Sequence, residues 1–293
     1  MPVPGRGEMF VRHLDAPDTT GARTAHPEIP VLLLHGWTWT ADINWWPVYE
    51  PAGTHRQVVG VDHRGHGRSL RSEAPFTLED AADDLAALLD VLGIPRVIAC
   101  GYSMGGPISL LLAQRHPGKV AGLVLCATTL DFAKSGPRRE RMIHSAMPFL
   151  GALMRIGAWD RGIAKYLRVS ADLAPALAPY RSWVAGEWRR QSPTDILHAG
   201  RALGAYDFRG RAPAVRHVPS AVVLTQQDRL VQPRRQRDMA TALGSAIFPI
   251  AADHDCNLVA PEQFAAAVVE AIEDVASRIV DETTGPPAGT VRR

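Results

Sequence analysis

The chain has 293 residues and a formal net charge of +2, with 46% hydrophobic and 21% charged residues. This balance is ordinary for a globular protein and gives no overall reason to expect nucleic acid or a strongly acidic partner. The N-terminal MPVPGRGEMF lacks an apolar signal-peptide core, and no apolar run approaches membrane-spanning length. We therefore expect a cytoplasmic protein without stable membrane insertion.

Three cysteines, without CxxC spacing, do not suggest a disulfide framework. Cys100 and Cys126 lie in apolar, strand-like runs, so we interpret them as small core residues of a protein in a reducing compartment.

Short apolar runs alternate with helical patterns along most of the chain. In chain order, the predicted strands are 31–34, 58–61, 97–100, 120–126, 221–225 and 246–251. The predicted helices begin near Leu78, after the GYSMGG turn, at Pro233 and before Phe264. Leu78, Ala82, Leu85, Leu89 and Leu92 recur at steps of four and three, which is typical of one helix face. Nearly continuous apolar strands alternating with helices predict an α/β fold whose mostly parallel central sheet is flanked by helices.

Residues 131–210 interrupt this alternation, because they contain no convincing buried strand. We predict a helical cap over 131–210, inserted between a first core part at 1–130 and a second at 211–280. The Pro/Gly-rich tail, 281–293, is expected to be disordered. From Asp131 to Arg211 the segment carries 14 Lys and Arg against 7 Asp and Glu. A solvated arginine-rich surface explains this excess more simply than a site for an anionic substrate.

The stretch GYSMGG, residues 101–106, places Ser103 between glycines where a predicted strand gives way to a helix. A sharp strand-to-helix turn brings the two elements close together, so small residues are needed two positions before and two after the serine. Gly101 and Gly105 meet that requirement. The alternative is a glycine-rich turn with an incidental serine.

Together with four other motifs, this turn resembles the α/β-hydrolase superfamily, in its serine-nucleophile, esterase-like branch. The motifs are HGW at 35–37, VDHRGHGRS at 61–69, GYSMGG at 101–106, QQDRLVQP at 226–233 and HDCNLVAPEQF at 254–264. The resemblance covers about 28–130 and 215–280. It implies a nucleophile elbow, an oxyanion loop, an acid loop and a histidine loop, in that family's order.

The resemblance implies that Ser103 is the nucleophile, with a base and an acid later in the chain. Five histidines follow it, and only His254 follows both a late strand and Asp228. Asp228 is the first choice for the acid that orients the base. Asp131 is the second choice, because some family members place the carboxylate after the preceding strand.

The oxyanion hole should consist of the backbone N–H groups of Trp37 and Met104. Candidate pocket-lining residues are Tyr102, Trp37, Met142 and Trp159. Packing against the sheet is the favoured interpretation of Trp45 and Trp46.

A metal at His63 and His66, with Asp62, is a weak alternative because a convincing third ligand is missing. We expect no metal and no cofactor.

The resemblance implies a serine hydrolase that cleaves a carboxylic ester, thioester or lactone of a small to medium, mainly apolar substrate through an acyl-enzyme. The partner would be that small molecule, and the oligomeric state stays open. The same three residues could instead serve an acyltransferase or a perhydrolase. A non-catalytic ligand-binding receptor is a third possibility, which the intact serine, histidine and aspartate disfavour.

Overall fold

A computed structural model describes residues 1–15, 29–132 and 180–279 of the chain. Its centre is a seven-stranded sheet in the order β3-β5-β4-β6-β7-β8-β9. The strands are β3 (Val11–Leu14), β4 (Val31–Leu34), β5 (Val58–Val61), β6 (Val97–Tyr102), β7 (Val120–Cys126), β8 (Ser220–Thr225) and β9 (Ala246–Ile250), after a small ribbon of β1 (Pro2–Val3) and β2 (Gly7–Glu8). Only β3 runs antiparallel to its neighbour in the seven-stranded sheet, so the predicted mostly parallel sheet is confirmed.

The inner strands are apolar on both sides because helices cover both faces of the sheet. Every residue of β4, β5, β6, β7 and β8 is buried. The edge strand β9 alternates between exposed and partly buried residues over most of its length, as expected where one face meets solvent.

Helices flank the sheet as the alternation predicted. They are α1 (Ala41–Trp45), α2 (Tyr49–Gly53), α3 (Leu78–Val91), α4 (Gly105–Arg115), α5 (Arg181–Arg189), α6 (Pro193–Ala205), α7 (Pro233–Leu243), α8 (Cys256–Val259) and α9 (Pro261–Ser277). Short 3₁₀ segments cover Pro117–Lys119 and Arg209–Val215. Local signals set the helix ends. The Thr77 hydroxyl caps α3 by accepting from the Asp80 N–H, and Gly244, at φ 72°, ends α7 in the left-handed region.

The two faces of the sheet carry separate apolar cores. On one face, residues of α3, α4 and α7 pack together, with Leu88, Leu111 and Met239 among them. On the other face, α2 and α9 pack against the strands. The predicted stripe on the last helix lies wholly in this second core, and its members are Phe264, Val268, Ile272 and Val275.

Strand register brings four loops to one edge of the sheet. Leu34 pairs with Gly101, so the loop after β4 begins beside the turn after β6. Thr225 pairs with Ile250, so the loops after β8 and β9 also leave the sheet together. All four loops follow the carboxyl ends of parallel strands, which is where open α/β sheets place their ligand crevices.

The predicted cap is described only at its ends. Residues 133–179 lie outside the described part of the chain, whereas α5 and α6 fall inside the predicted segment and are helical. They are tied to the turn after β5, because Gly67 N–H donates to Gln191 Oε1 at 3.1 Å and Arg68 pairs with Glu187. The boundaries of the cap and of the two core parts stay predictions.

Among the described helices, none is both long enough and apolar enough to cross a membrane.

Candidate active site

The turn between β6 and α4 holds Ser103 in a strained backbone conformation. Its φ is 49°, in the left-handed region that residues with a side chain seldom adopt. A Cβ at Gly101 would lie 2.3 Å from the carbonyl oxygen of Gly105, and one at Gly105 would lie 2.2 Å from that of Leu34. No side chain fits at either position, which is the physical reason for the glycines of GYSMGG.

Three predicted side chains meet in one hydrogen-bonded line at this edge. Ser103 Oγ lies 3.1 Å from His254 Nε2, and His254 Nδ1 lies 2.9 Å from Asp228 Oδ2. Because a carboxylate can only accept, Nδ1 carries a proton and Nε2 of the neutral ring is left as the acceptor for the serine hydroxyl. This is the tautomer that a serine needs for general-base help.

Hydrogen-bond donors surround both side-chain oxygens of Asp228. Its Oδ1 accepts from the N–H groups of Leu230 at 2.8 Å and Val231 at 2.7 Å. Its Oδ2 accepts from the hydroxyl of Thr225 at 2.8 Å and from Gln236 Nε2 at 3.2 Å. The side chain is fully buried. These bonds replace its lost hydration and fix the oxygen that faces His254.

Two opposing effects act on the pKa of His254. Burial lowers the pKa because it disfavours the charged ring, whereas the hydrogen bond and the charge of Asp228 raise it. The carboxylate prevails, and the pKa lies above the ordinary 6.5. The site is therefore built to accept a proton at Nε2.

The second-choice acid, Asp131, lies in a different set of contacts. Its carboxylate faces the guanidinium groups of Arg209 at 3.5 Å and Arg235 at 3.6 Å. Its backbone pairs with Asp207 in an isolated bridge. Asp228, rather than Asp131, accepts the hydrogen bond from His254.

The HGW loop lies directly against Ser103. A Cβ placed on Gly36 would be 3.4 Å from Ser103 Cβ, so the peptide that leads to Trp37 is next to the serine. Met104 is the N-cap residue of α4, and its side chain is fully buried in the core. Within the described ranges, neither the Trp37 nor the Met104 amide N–H meets an acceptor. An oxyanion-hole role for these two amides stays a prediction.

Asn44 fixes this loop from below. Its Oδ1 accepts the Gly36 N–H at 2.6 Å, and the side chain is completely buried. Asn44 was not predicted from the sequence, because no pattern in the five-residue helix α1 indicates that its side chain bonds to the preceding loop.

The predicted pocket residues divide into three groups. Trp37 is partly buried, and its Nε1 donates to the carbonyl oxygen of Ile196 on α6 at 2.8 Å. Tyr102 is 1% exposed and packs beside Trp45 and Phe264 in the core behind the histidine loop. Met142 and Trp159 lie outside the described residues. A pocket-lining role stays a prediction for all four.

An aromatic cluster joins the described part of the cap to the site loops. Its buried members are Trp39, Ile43, Val184, Trp188 and Leu258, with Trp46 and Trp183 packed against them. Trp39 and Trp188 meet edge to face, with ring centroids 5.1 Å apart. Trp39 follows the HGW loop and Leu258 follows His254, so the cluster joins these two loops to α5. Trp45 lies in the core as predicted, fully buried against Phe264.

Three other histidines form a buried cluster that includes His35, the first residue of the HGW loop. The ring centroids of His35 and His63 are 4.3 Å apart, and those of His35 and His66 are 5.1 Å apart. Burial lowers the pKa of His63 to about 3 and that of His66 to about 4, and it places the pKa of His35 well below 6.5. His35 Nε2 accepts the His63 N–H at 3.0 Å, so that nitrogen is already engaged.

The cluster acts structurally in the contacts we observe. No group of three or more His, Cys, Asp or Glu residues in the described ranges is arranged to hold a metal ion. Asp62 instead accepts the N–H groups of Ala41 at 2.8 Å and Arg68 at 3.0 Å, which ties the turn after β5 to α1.

Comparison with known proteins supports the fold. The family described as the alpha/beta hydrolase fold matches residues 29–255. The RutD protein of Caulobacter sp. (strain K31), which carries the name of a carbamate hydrolase, is 28% identical over 240 residues, covering 77% of this chain and 84% of its own.

Solved structures show the same architecture. The enol-lactonase from Burkholderia xenovorans LB400 superposes with a TM-score of 0.75 at 24% identity, covering 93% of this chain and 99% of that one. The esterase EaEST from Exiguobacterium antarcticum gives a TM-score of 0.73 at 18% identity, covering 90% and 95% respectively.

Proposed function

The chain belongs to the α/β-hydrolase fold family, and from this premise we propose that it is a serine hydrolase acting on a carboxylic ester, thioester or lactone. The observation that carries the proposal is the continuous line from Ser103 Oγ to His254 at 3.1 Å and on to Asp228 at 2.9 Å. A serine hydroxyl is a poor nucleophile unless a base takes its proton, and this line supplies the base and its orienting acid.

The reaction follows from the geometry in two halves. Ser103 Oγ attacks the acyl carbon while its proton moves to His254 Nε2, and the carbonyl oxygen becomes an oxyanion facing the Trp37 and Met104 amides. Collapse breaks the bond to the leaving oxygen or sulfur, which takes the proton back from His254. Water then attacks the acyl-enzyme with the same base, releasing the acid and restoring the serine.

For the substrate we propose an uncharged acyl or alcohol group. The aromatic cluster of Trp39, Trp188 and their neighbours, which joins the site loops to α5, would form one apolar wall of its pocket. The names of the relatives point the same way, since an enol-lactonase, an esterase and a carbamate hydrolase all act at an acyl carbonyl. We therefore propose a small to medium, mainly apolar substrate.

The direct test combines active-site labelling with turnover. A fluorophosphonate should label the wild-type protein at Ser103, and p-nitrophenyl acetate should be turned over, with a burst if deacylation is slow. In Ser103→Ala, labelling should be abolished and kcat should fall about 10⁶-fold, because nucleophile and base act as a unit.

Ser245→Ala is the matched control. Ser245 bonds to Ser220 at the amino end of β8, on the sheet edge opposite the site, so labelling should be unchanged. Wild-type protein that neither labels nor turns over any ester, thioester or lactone would remove the proposal. Analysis of products with an added alcohol or peroxide would show whether the acyl group goes to water or to another acceptor.

A further inference from the structure

Behind the catalytic histidine, a buried hydroxyl reaches the backbone of the histidine loop. The Tyr102 hydroxyl donates to the carbonyl oxygen of His254, and the two rings lie 5.7 Å apart between centroids. We infer that Tyr102, with Asn257, forms a buried bridge that positions His254 against Ser103. This inference rests on the proposed function, because it concerns how that reaction's base is held.

Tyr102 is suited to this task by its place in the chain. It is the last residue of β6 and immediately precedes Ser103, so one peptide bond links the nucleophile to the residue that holds the base. Its ring is fixed on two sides, edge to face against Trp45 at 6.1 Å and against Phe264 at 5.6 Å between centroids. A rigid ring leaves the hydroxyl little freedom to follow a moving loop.

Asn257 extends the bridge to the other side of the site. The Tyr102 hydroxyl shares its single proton between the His254 carbonyl and Asn257 Oδ1, which lies 3.4 Å away. Asn257 Nδ2 donates to the carbonyl oxygen of Ile43 at 3.2 Å. The next residue of α1, Asn44, accepts the Gly36 N–H. One short helix therefore anchors both the oxyanion loop and, through Asn257, the histidine loop.

Few other contacts fix the backbone of His254. Its N–H donates to the neighbouring carboxylate of Asp253 at 2.8 Å, and that carboxylate is paired with Arg229, whose side chain is 87% exposed. The Asp253 side chain is 28% exposed, and its Oδ1 also accepts the Arg229 N–H at 2.9 Å, so this restraint depends on a neighbouring loop and not on the core. The Tyr102 bond is buried, so it supplies the firmer of the two restraints on the peptide groups of His254.

The first experiment compares two tyrosine hydroxyls that differ in their partners. Tyr102→Phe removes the bond to His254 while keeping the ring. Tyr49→Phe is the matched control, because the buried Tyr49 hydroxyl has no hydrogen-bond partner among the described residues. We expect Tyr102→Phe to lower kcat and the fluorophosphonate labelling rate about tenfold or more with little change in KM, since displaced catalytic groups lose rate. Tyr49→Phe should leave both rates within about twofold of wild type, because it breaks no restraint on a catalytic group.

A second readout does not depend on turnover. In a ¹⁵N-imidazole NMR titration, the His254 resonances of Tyr102→Phe should broaden or titrate at a different pH from wild type, while those of Tyr49→Phe should not. Unchanged His254 resonances together with unchanged kcat would overturn the bridge and leave the proposed function intact. Wild-type protein without any labelling would defeat the proposed function, and the titration would still decide whether Tyr102 positions the ring.

Asn257→Leu gives an independent variant should Tyr102→Phe fold poorly. It removes the outer half of the bridge while the Tyr102 hydroxyl can still reach His254, so we expect a smaller loss of kcat than in Tyr102→Phe. In the double variant the two losses should not multiply, because both residues act through one path. If the two losses multiply fully, Tyr102 and Asn257 do not act through one path. If the melting temperature falls in parallel with kcat in both variants, the two residues stabilise the core and do not position His254.

Discussion

The protein contains two histidine environments near the same edge of the sheet, and the pKa values of their rings shift in opposite directions. His254 is 12% exposed in its side chain, and its pKa is raised above 6.5. His63 and His66 are buried as well, yet their pKa values fall to about 3 and about 4. Burial disfavours the charged ring in both places. The difference lies in what each ring nitrogen meets.

A carboxylate faces His254, whereas backbone groups and other imidazoles face the cluster. His66 Nδ1 lies 3.0 Å from the carbonyl oxygen of Arg64, and His63 Nε2 lies 3.2 Å from that of His35. A carbonyl oxygen accepts the N–H that the neutral ring already carries, but it has no net charge to favour a second proton on that ring. The cluster therefore stays neutral, whereas the Asp228 carboxylate favours the protonated form of His254.

Removing the Asp228 carboxylate should make the surroundings of His254 resemble the uncharged surroundings of His63 and His66. In Asp228→Asn the orienting charge is lost, and the ring can take the wrong tautomer, so kcat should fall about 10⁴-fold. Steady-state turnover of p-nitrophenyl acetate would measure this loss. Asp131→Asn is the control with the same chemical change, and its kcat should stay within about tenfold of wild type. A larger loss in Asp131→Asn than in Asp228→Asn would reverse the assignment of the acid.

The charge of Asp228 should also set the pH dependence of acylation, because it raises the pKa of His254. His254 must be neutral to take the serine proton, so kcat/KM should fall as the pH drops through a pKa above 6.5. In Asp228→Asn the raising effect is removed, so this acidic limb should move to lower pH. The labelling rate measured across pH in both proteins gives the comparison. An acidic limb that does not move would show that Asp228 does not set the pKa.

The neutral histidine cluster should affect the pH dependence of the free energy of unfolding rather than the rate of turnover. Because the pKa values of His63 and His66 are lower in the folded chain than in the unfolded chain, the unfolded chain takes up more protons below about 6.5. The free energy of unfolding should therefore fall with pH from about 6.5 towards 4, by up to about 1.4 kcal/mol per pH unit for each ring.

His66→Asn tests this slope, since it removes a titrating ring. Urea denaturation at pH 7 and pH 5 should show a smaller difference in unfolding free energy than for wild type. Asp62 acts in the opposite direction, because burial raises its pKa to about 6, but it is common to both proteins and cancels. The exposed His217→Asn is the control, and equal slopes in all three proteins would contradict the prediction.

Sequence patterns predicted the elements whose signals are local. The strands at Val31–Leu34, Val58–Val61 and Val120–Cys126 were predicted at their observed bounds, because each is a continuous apolar run ended by turn residues. β3 was missed, since VRHL is short and half exposed and becomes a strand only by pairing with β5.

In the site, too, residues with local sequence signals could be predicted, whereas residues that depend on tertiary contacts could not. Ser103, Asp228 and His254 stand in motifs with fixed spacing, so their approach could be expected. Asn44 and Asn257 could not be singled out, because their partners Gly36 and Tyr102 are 8 and 155 residues away in the chain and become neighbours only through the fold. For Tyr102 the sequence left a pocket-lining role open, and the contact it could not indicate is the one to the backbone of His254.

The position of β8 and β9 late in the chain determines when the site can be completed during synthesis. During synthesis, β4, β5, β6 and β7 emerge before β8 and β9, together with the serine turn and the HGW loop. The acid and the base follow β8 and β9, which add to one edge of that sheet, more than 120 residues after Ser103. Ser103 is therefore synthesised 151 residues before His254, which is about half of the 293-residue chain. The proposed activity switches on only when the last strand and the loop after it have docked.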